Sequence, residues 1–553
     1  MTKKQAVLRV ALIVFIIVLV IGLIGIAGIN STFRGQELHR FSDAAGDQLL
    51  GTYLAGAQPY GILLLEGFGS DQIALRPASN LFRRTGAHIF SFDFSGHGRS
   101  PGALGFDNAA TDRLAKQVIA AKEVFKSLSG LEENQILYFG HSLGARVALQ
   151  AASLDPAPPQ ALILLGTQVN LGTNRQSEFF TGTQDSDLDW INELSASKPA
   201  TDILLLSGSW DDILTPQAAN ALYAKLNEES DRTENPYVRQ LTIVPALLHN
   251  YEIYSIRLFR EMASQLMEIT SLTFPTPISL AGYYIFGGMV LVGLIGSLST
   301  APSVFKVILP SIQAVKITRF SRFMRGKLLL WLAAIPVGVL LTGLFFFLPL
   351  DLPVLNLYYV AFIGGYGLLL LLLYRLGKMP GTDGKLLLKM ESKGYSTSKP
   401  PWRAWLGLGI WSLILLVCVL FTRAGLFFVI PANQRLIWLA IFSPVTALGF
   451  WIAGRESQMM AVFRHESGHK LPWALLALSL IGLTPFFIYT IFMGALGSLS
   501  GMVGSLQGLL ILFLALLTGN LLKHFIHNDF LVALLQAVLL YALIMPQNVL
   551  FAF

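Results

Sequence analysis

The chain has 553 residues, of which 53% are hydrophobic and 13% are charged, and its mean hydropathy is +0.58. This composition excludes a single water-soluble globule and indicates that much of the chain lies in a membrane. The formal net charge is +7. Because the basic residues lie beside apolar segments, where anionic lipid headgroups attract them, the charge predicts contacts with membrane lipids and no nucleic-acid partner.

The N-terminus carries an uncharged apolar run over residues 10–29, preceded by Lys3, Lys4 and Arg9. A run of this length crosses the hydrocarbon core of a bilayer. A cleaved signal peptide is the alternative, but the run is longer than a signal h-region and no clear small-residue cleavage site follows it. We therefore predict a transmembrane anchor in residues 1–30, with its N-terminus in the cytoplasm.

Two apolar runs after the anchor are typical of buried strands that end in functional loops. The first, residues 63–65, leads into the glycine-rich loop of residues 66–69. The second, residues 87–92, leads into the polar segment of residues 93–100. Both strands precede the candidate nucleophile in the chain.

The pentapeptide Gly140-His141-Ser142-Leu143-Gly144 lies between an apolar run and a helix-like stretch. This strand-turn-helix context is the one that a nucleophile elbow needs, because the strained turn lifts the serine hydroxyl above the sheet and the flanking glycines let the turn close. The pattern alone is weak in a chain with 50 glycines. Together with its context it nominates Ser142 as a catalytic nucleophile.

Two later strands each end shortly before a candidate partner of this serine. Residues 203–206 precede Gly208 and the adjacent carboxylates Asp211 and Asp212, and residues 242–244 precede His249. The chain order is therefore serine, aspartate, histidine. That order, with each residue on a loop after a strand, is the order of the α/β-hydrolase fold.

On these motifs, residues from about 45 to 270 resemble an α/β-hydrolase of the monoacylglycerol lipase or serine aminopeptidase-like group. The resemblance rests on the elbow, the Asp-x-Ser-Gly-His-Gly-x-Ser segment of residues 93–100, the Gly-x-x-Asp segment ending at Asp211, and His249. It implies a mostly parallel, doubly wound sheet with a small cap in residues 35–272. One position departs: Glu66-Gly67 stands where this group usually has His-Gly, which leaves the loop geometry and the substrate open.

The resemblance also implies roles for the site residues. Ser142 is expected as the nucleophile and His249 as the general base. We prefer Asp211 as the acid that orients the histidine, because it stands three positions after Gly208, and keep Asp212 as the alternative acid.

The oxyanion donors are expected to be the backbone N–H groups of Phe68 and Leu143. No metal or organic cofactor is implied. Asp93 is expected to brace its turn. Glu66 is expected to brace its loop, and a contact to a substrate amine is the alternative.

Only residues 166–200 lie between the predicted strand of residues 162–165 and the predicted strand that precedes Asp211, so any cap is small. Its apolar content is Phe179, Phe180, Trp190 and Ile191. This segment either covers an acyl pocket or packs on the sheet, and the sequence favours neither.

Residues 273–553 are predicted to form an all-α membrane bundle of about eight transmembrane helices. The apolar segments are residues 277–299, 328–349, 353–374, 402–422, 434–454, 471–493, 502–521 and 529–550. Alternate loops hold 17 Lys or Arg residues against 2 in the loops between them. By the positive-inside rule the basic loops are cytoplasmic, so the hydrolase-like domain is predicted outside the cytoplasm in a multi-pass cell membrane protein.

The only cysteine, Cys418, lies in a span and forms no disulfide within the chain, which favours a bacterial source.

The sequence thus predicts a membrane-anchored serine hydrolase that cleaves an ester or related acyl bond through an acyl-enzyme at Ser142. A lipid or another membrane-derived ester is the favoured substrate, since eight spans exceed what tethering requires. Two alternatives stay open: an acyltransferase with the same three residues, and a non-catalytic module that regulates the membrane bundle. The oligomeric state is not predicted.

Overall fold

The computed structural model describes residues 3–105, 109–167, 169, 189–228, 237–304, 315–383, 402–423, 433–467, 494–495 and 497–552. Residues 37–269 carry an eight-stranded sheet with flanking helices and are called the sheet region below. Residues 281–552 are mainly long helices and are called the helical region. Helix α1 (Lys3–Asn30) packs on the helical region.

The strands of the sheet region are β1 (Glu37–Ser42), β2 (Gln48–Leu54), β3 (Gly61–Leu65), β4 (His88–Asp93), β5 (Ile136–His141), β6 (Ala161–Leu165), β7 (Asp202–Gly208) and β8 (Arg239–Val244). Their order across the sheet is β1-β2-β4-β3-β5-β6-β7-β8. The β1–β2 and β2–β4 pairs are antiparallel, and all the other pairs are parallel. The predicted α/β-hydrolase fold with a mostly parallel sheet is confirmed.

Helices cover both faces of this sheet, which is why its central strands read as unbroken apolar runs. The helices are α2 (Arg76–Arg83), α3 (Ala109–Ser129), α4 (Leu143–Leu154), α5 (Asp189–Asn192), α6 (Pro216–Lys225) and α7 (Ile256–Ile269). Side chains along β3 alternate between two cores: Leu63 and Leu65 pack with α3 and α4, and Ile62 and Leu64 pack with α2 and α7.

The helical region contains, in chain order, α8 (Ala281–Val304), α9 (Phe320–Phe345), α10 (Val354–Tyr359 continued by a π-helical turn and Tyr366–Arg375), α11 (Trp402–Arg423), α12 (Asn433–Ser467), α13 (Leu499–Leu522) and α14 (Asp529–Ile544). Five helices of the described residues are long and apolar enough to cross a membrane: α1 and the helices containing residues 281–304, 402–422, 434–457 and 499–522. Shorter apolar helices lie at residues 336–345, 360–375 and 529–544. The predicted span at residues 471–493 lies outside the described residues.

Two helices extend into segments that the sequence assigns to loops. Helix α9 begins before Lys327, and α12 continues past Glu456. The two side chains are fully buried and form an ion pair of 2.6 Å, and the Tyr374 hydroxyl donates to the same carboxylate at 2.7 Å. Because each charge has a partner, the helices can continue with both groups inside the bundle.

Helices α1 and α8 lie close together because glycines line their contact. A β-carbon on Gly293 of α8 would lie 2.5 Å from the backbone nitrogen of Leu19 in α1. A β-carbon on Gly22 of α1 would lie 2.8 Å from the backbone nitrogen of Val290. Small residues of this kind allow two membrane helices to approach closely.

The segment of residues 548–552, called the C-terminal segment, joins the two regions through β-bridges at Phe551. Leu104 N–H donates to Leu550 O at 2.8 Å, and Leu550 N–H donates to Gly96 O at 2.9 Å. On its other side, Phe551 forms a bridge to Leu352 of the helical region. The buried guanidinium of Arg435 also donates to Gly96 O, at 2.5 Å. The sheet region is thus bonded directly to the helical region.

Candidate active site

Ser142 lies on a strained turn between β5 and α4. Its backbone angles are φ 57° and ψ −119°, a left-handed conformation that costs an L-residue free energy and that is found at nucleophile elbows. The flanking glycines are needed for space. A β-carbon on Gly144 would lie 2.3 Å from Leu65 O, and one on Gly140 would lie 2.6 Å from the backbone of Ala145.

The structure brings Ser142, His249 and Asp211 into one hydrogen-bonded chain. The Ser142 hydroxyl lies 2.9 Å from His249 Nε2, and His249 Nδ1 lies 2.8 Å from Asp211 Oδ2. The second oxygen of Asp211 accepts the N–H groups of Ile213 and Leu214 at 2.9 and 2.8 Å. The carboxylate is therefore fixed by its own loop while it orients the imidazole.

The surroundings of His249 favour its protonated form. The side chain is buried, which lowers its pKa, but the hydrogen bond and the charge of Asp211 outweigh burial and raise the pKa above its usual value. A base that becomes a stabilised imidazolium on accepting the serine proton suits general base catalysis.

Asp212, the alternative acid, does not contact His249. Its carboxylate accepts the backbone N–H of Ser500 at 3.2 Å and also the Ser500 hydroxyl. Ser500 lies in the first turn of α13. Of the two adjacent aspartates, Asp211 thus faces the histidine and Asp212 faces the helical region.

The two expected oxyanion residues lie on either side of Ser142. Leu143 is the first residue of α4, and Phe68 follows β3. Within the described part of the chain, neither backbone N–H donates a hydrogen bond to the protein. The loop approaches closely, since a β-carbon on Gly67 would lie 3.2 Å from Ser142 Cβ. Free N–H groups beside the nucleophile are the donors that a tetrahedral oxyanion requires.

Glu66 and Asp93 brace loops near the site. Glu66 is fully buried, and its Oε1 accepts the Phe94 N–H at 2.7 Å; burial and then the charge of Asp93 raise its pKa well above the usual value. Asp93 accepts the N–H groups of Gln72 and Arg99, each at 2.9 Å. Glu66 therefore links the loop after β3 to the loop after β4.

Two residues that the sequence analysis did not single out lie behind His249. The His141 ring stacks on the His249 ring at a centroid distance of 4.9 Å. Glu252 is fully buried, and its Oε2 lies 3.8 Å from His249 Nδ1 and 3.5 Å from His141 Nε2. Its Oε1 accepts the Gly208 N–H at 2.8 Å. No sequence motif marks this carboxyl. Its position depends on the way in which the base loop, the residues between β8 and α7 that carry His249, folds back on β7.

His141, His249 and Glu252 are the types of side chain that ligate metals, and their donor atoms lie within 4.8 Å of one another. Both ring nitrogens of His249 are already hydrogen-bonded, to Ser142 and to Asp211. A metal ion would have to displace one of these contacts, so the cluster fits the positioning of His249 better than metal binding.

The predicted cap lies largely outside the described residues, and Phe179 and Phe180 are among those not described. Trp190 and Ile191 are described, on α5. Both are buried in the core beneath α4. This part of the segment packs on the sheet.

Residues 60–185 match the family of serine aminopeptidases, S33. An uncharacterised protein of Mycobacterium tuberculosis is 25% identical over 201 residues, which cover 36% of this chain and 66% of that protein. A Variovorax paradoxus protein provisionally named carbamate hydrolase RutD is 30% identical over 19% of this chain and 36% of its own length. A Mycoplasma genitalium protein provisionally named an esterase/lipase is 26% identical over 23% of this chain and 47% of its own.

The chain spans just under two thirds of the mycobacterial relative and less than half of the other two relatives. Among solved structures, an esterase of Pyrococcus furiosus aligns with a TM-score of 0.35 at 15% identity, covering 43% of this chain and 91% of that one. The family match includes Ser142 but ends before Asp211 and His249. Together with the fold, the matched family and the named relatives support a hydrolase.

Proposed function

We propose that the protein is a membrane-anchored serine hydrolase that cleaves an ester or related acyl bond through an acyl-enzyme at Ser142. The observation that carries the proposal is the chain of hydrogen bonds from Ser142 through His249 to Asp211, built on a strained elbow. Both bonds are within the range in which a proton can be transferred.

In the proposed reaction, His249 Nε2 takes the proton of the Ser142 hydroxyl as the oxygen attacks the acyl carbon. The negative charge on the acyl oxygen is stabilised by the N–H groups of Phe68 and Leu143. The imidazolium, held by Asp211, returns the proton to the leaving alcohol. Water then loses a proton to His249 as its oxygen attacks the acyl carbon. The bond from that carbon to the Ser142 oxygen breaks, the acid leaves, and the imidazolium returns its proton to Ser142.

A lipid or another membrane-derived acyl ester is the proposed substrate. Five helices of the described residues are apolar and long enough to cross a bilayer, which supports membrane association. Two contacts of the sheet region with the helical region lie on loops of the proposed site. Ser500 bonds Asp212 in the acid loop, the residues after β7 that carry Asp211, and Phe551 packs on Phe68 with ring centroids 5.8 Å apart. An ester reaching Ser142 would therefore be near the bilayer surface.

The sheet region is proposed to lie outside the cytoplasm. Its contacts use one end of the bundle, namely residues near Leu352, Arg435, Ser500 and Phe551. The first three fall in or beside loops that carry few basic residues. The alternation of the predicted spans assigns the strongly basic loops to the opposite end. The positive-inside rule then assigns the sheet region to the outer side.

The proposal is tested with purified full-length protein in detergent, using a short-chain nitrophenyl ester and a fluorophosphonate probe. We expect wild type to hydrolyse the ester and to be labelled, and Ser142→Ala to lose labelling and at least about 10³-fold in kcat. Ser153→Ala is the matched control, because Ser153 lies in α4, the helix that follows Ser142, and its hydroxyl donates to Leu149 O within that helix. If the probe does not label wild type, the domain is a non-catalytic module. Transfer of the acyl group to an added alcohol in preference to water would indicate an acyltransferase.

A further inference from the structure

Each loop of the proposed active site contacts an element of the helical region. In the acid loop, Asp212 bonds Ser500. In the oxyanion loop, which follows β3 and carries Phe68, the Phe68 ring packs on Phe551. In the base loop, the Tyr251 hydroxyl accepts a hydrogen bond of 3.3 Å from a side chain of α13. Asp212 and Tyr251 lie within two positions of a proposed catalytic residue, and Phe68 is itself a proposed oxyanion donor.

The contact at the acid loop is the strongest of the three. Both carboxylate oxygens of Asp212 lie 3.2 Å from the Ser500 nitrogen, and the Ser500 hydroxyl also donates to Oδ1. Ser500 is in the first turn of α13, where backbone N–H groups have no partner within the helix and the helix dipole favours a negative charge. Ser498 caps the same turn by accepting the Gly501 N–H.

The contact at the base loop uses the same helix. Gln507 Nε2, two turns further along α13, donates to the Tyr251 hydroxyl. Tyr251 and His249 share one 3-10 turn, residues His249–Tyr254. A β-carbon on Gly504, between Ser500 and Gln507 in α13, would lie 3.9 Å from the Asn250 side chain. One helix therefore contacts both loops whose relative position sets the His249–Asp211 hydrogen bond.

We infer that helix α13 is a positioning element of the active site, which holds the acid loop through Asp212–Ser500 and the base loop through Tyr251–Gln507. This inference rests on the proposed function and gives the helical region a role beyond anchoring. Catalytic groups must be held to within about 0.5 Å, and a displacement of 1 Å costs on the order of 100-fold in rate. Asp212 acts through its neighbour Asp211, since its own carboxylate is bonded to Ser500.

The test compares Asp212→Ala, Ser500→Ala and the double variant, with kcat measured per active site titrated by fluorophosphonate. Asp212→Ala should lower kcat about tenfold with KM for a small soluble ester nearly unchanged. Ser500→Ala should lower it about threefold, because the backbone N–H still reaches the carboxylate. The double variant should match Asp212→Ala, since the two residues act through one contact. Ser500→Thr keeps the hydroxyl and should restore the rate.

Asn528→Ala is the control for a general loss of helix stability. Asn528 caps α14 by accepting the N–H groups of Phe530 and Leu531, and it lies at the other end of the bundle. We expect this variant to lower the melting temperature and to leave kcat per titrated site unchanged. Equal losses of kcat in Asn528→Ala and Ser500→Ala would overturn the inference, as would a Ser500→Ala enzyme with wild-type kcat. An unlabelled, inactive wild type would instead refute the proposed function.

Discussion

Glu252 provides a second carboxyl behind the imidazole of His249, on the side that Asp211 already occupies. The titratable groups that face it are His141 from the end of β5, Asp211 from the loop after β7, and His249 from its own turn. Burial raises the pKa of Glu252 to about 8, against a lowering by His249. The raised pKa favours the neutral form of Glu252 near pH 7.

This environment predicts a pH effect on the rate. Above about pH 8, ionised Glu252 adds a negative charge 3.8 Å from His249 Nδ1, which stabilises the imidazolium formed when Ser142 loses its proton. The wild-type kcat/KM should therefore rise a further three- to tenfold, approximately, between pH 7.5 and 9. Glu252→Gln keeps an oxygen for the Gly208 N–H and should show a flat plateau there.

Stability gives an independent readout of the same group. A carboxyl whose folded pKa is raised binds its proton more tightly when folded, so its stabilising effect is present at low pH and is lost as the pH rises to about 8. Thermal melts should show wild type losing stability relative to Glu252→Gln between pH 5 and 8. Parallel melting curves and identical rate profiles for the two proteins would contradict this account of Glu252.

At the residue scale, the candidate residues are predictable because the motifs occur in the order that the fold requires. Spacing favours Asp211 over Asp212, and in the structure Asp211 is the residue that contacts His249. Glu252 is not predictable, because a carboxyl three positions after a histidine carries no signal until the turn buries it. The contact of Asp212 with Ser500 is not predictable either, because the two residues are 288 positions apart in the chain.

At the scale of elements, the buried strands were predictable because parallel strands covered on both faces are apolar throughout. The antiparallel pair β1 and β2 was not predicted, since β1 is an edge strand with mostly exposed, polar side chains. Most predicted spans coincide with helices. The ends of α9 and α12 do not, because Lys327 and Glu456 neutralise each other inside the bundle, which hydropathy cannot anticipate.

The α1–α8 contact predicts a contrast between two glycines of α8. Gly293→Ala places a methyl group 2.5 Å from the Leu19 backbone, so the helices must separate, at a cost of about 1–3 kcal/mol. Gly288→Ala places a methyl group where no atom lies within 4 Å. We expect a lower melting temperature in detergent for the first variant, and an unchanged or slightly higher one for the second. Equal melting temperatures would show that α1 does not pack on this face.

At the scale of the whole molecule, the proposed topology predicts which surface positions face the outside of the cell. In a Cys418→Ala background, Ser197→Cys in the sheet region and Lys378→Cys in a basic loop each give one exposed thiol. A membrane-impermeant maleimide should label the first on intact cells. The second should react only after the cells are opened. The reverse pattern would move the sheet region, and the proposed substrate, to the cytoplasmic side.

The C-terminal segment gives the molecule an order of assembly. Val549 and Phe551 are buried in the core that also contains Leu104, on the loop after β4. During synthesis the sheet region emerges long before these residues do. On the proposed topology, its core is incomplete until the late helices have been inserted and the C-terminal segment can pack on it. A ribosome that stops early thus releases a protein whose unfinished site exposes apolar surface to proteolysis. On the proposed function and topology, we expect hydrolytic activity only in chains that have completed insertion.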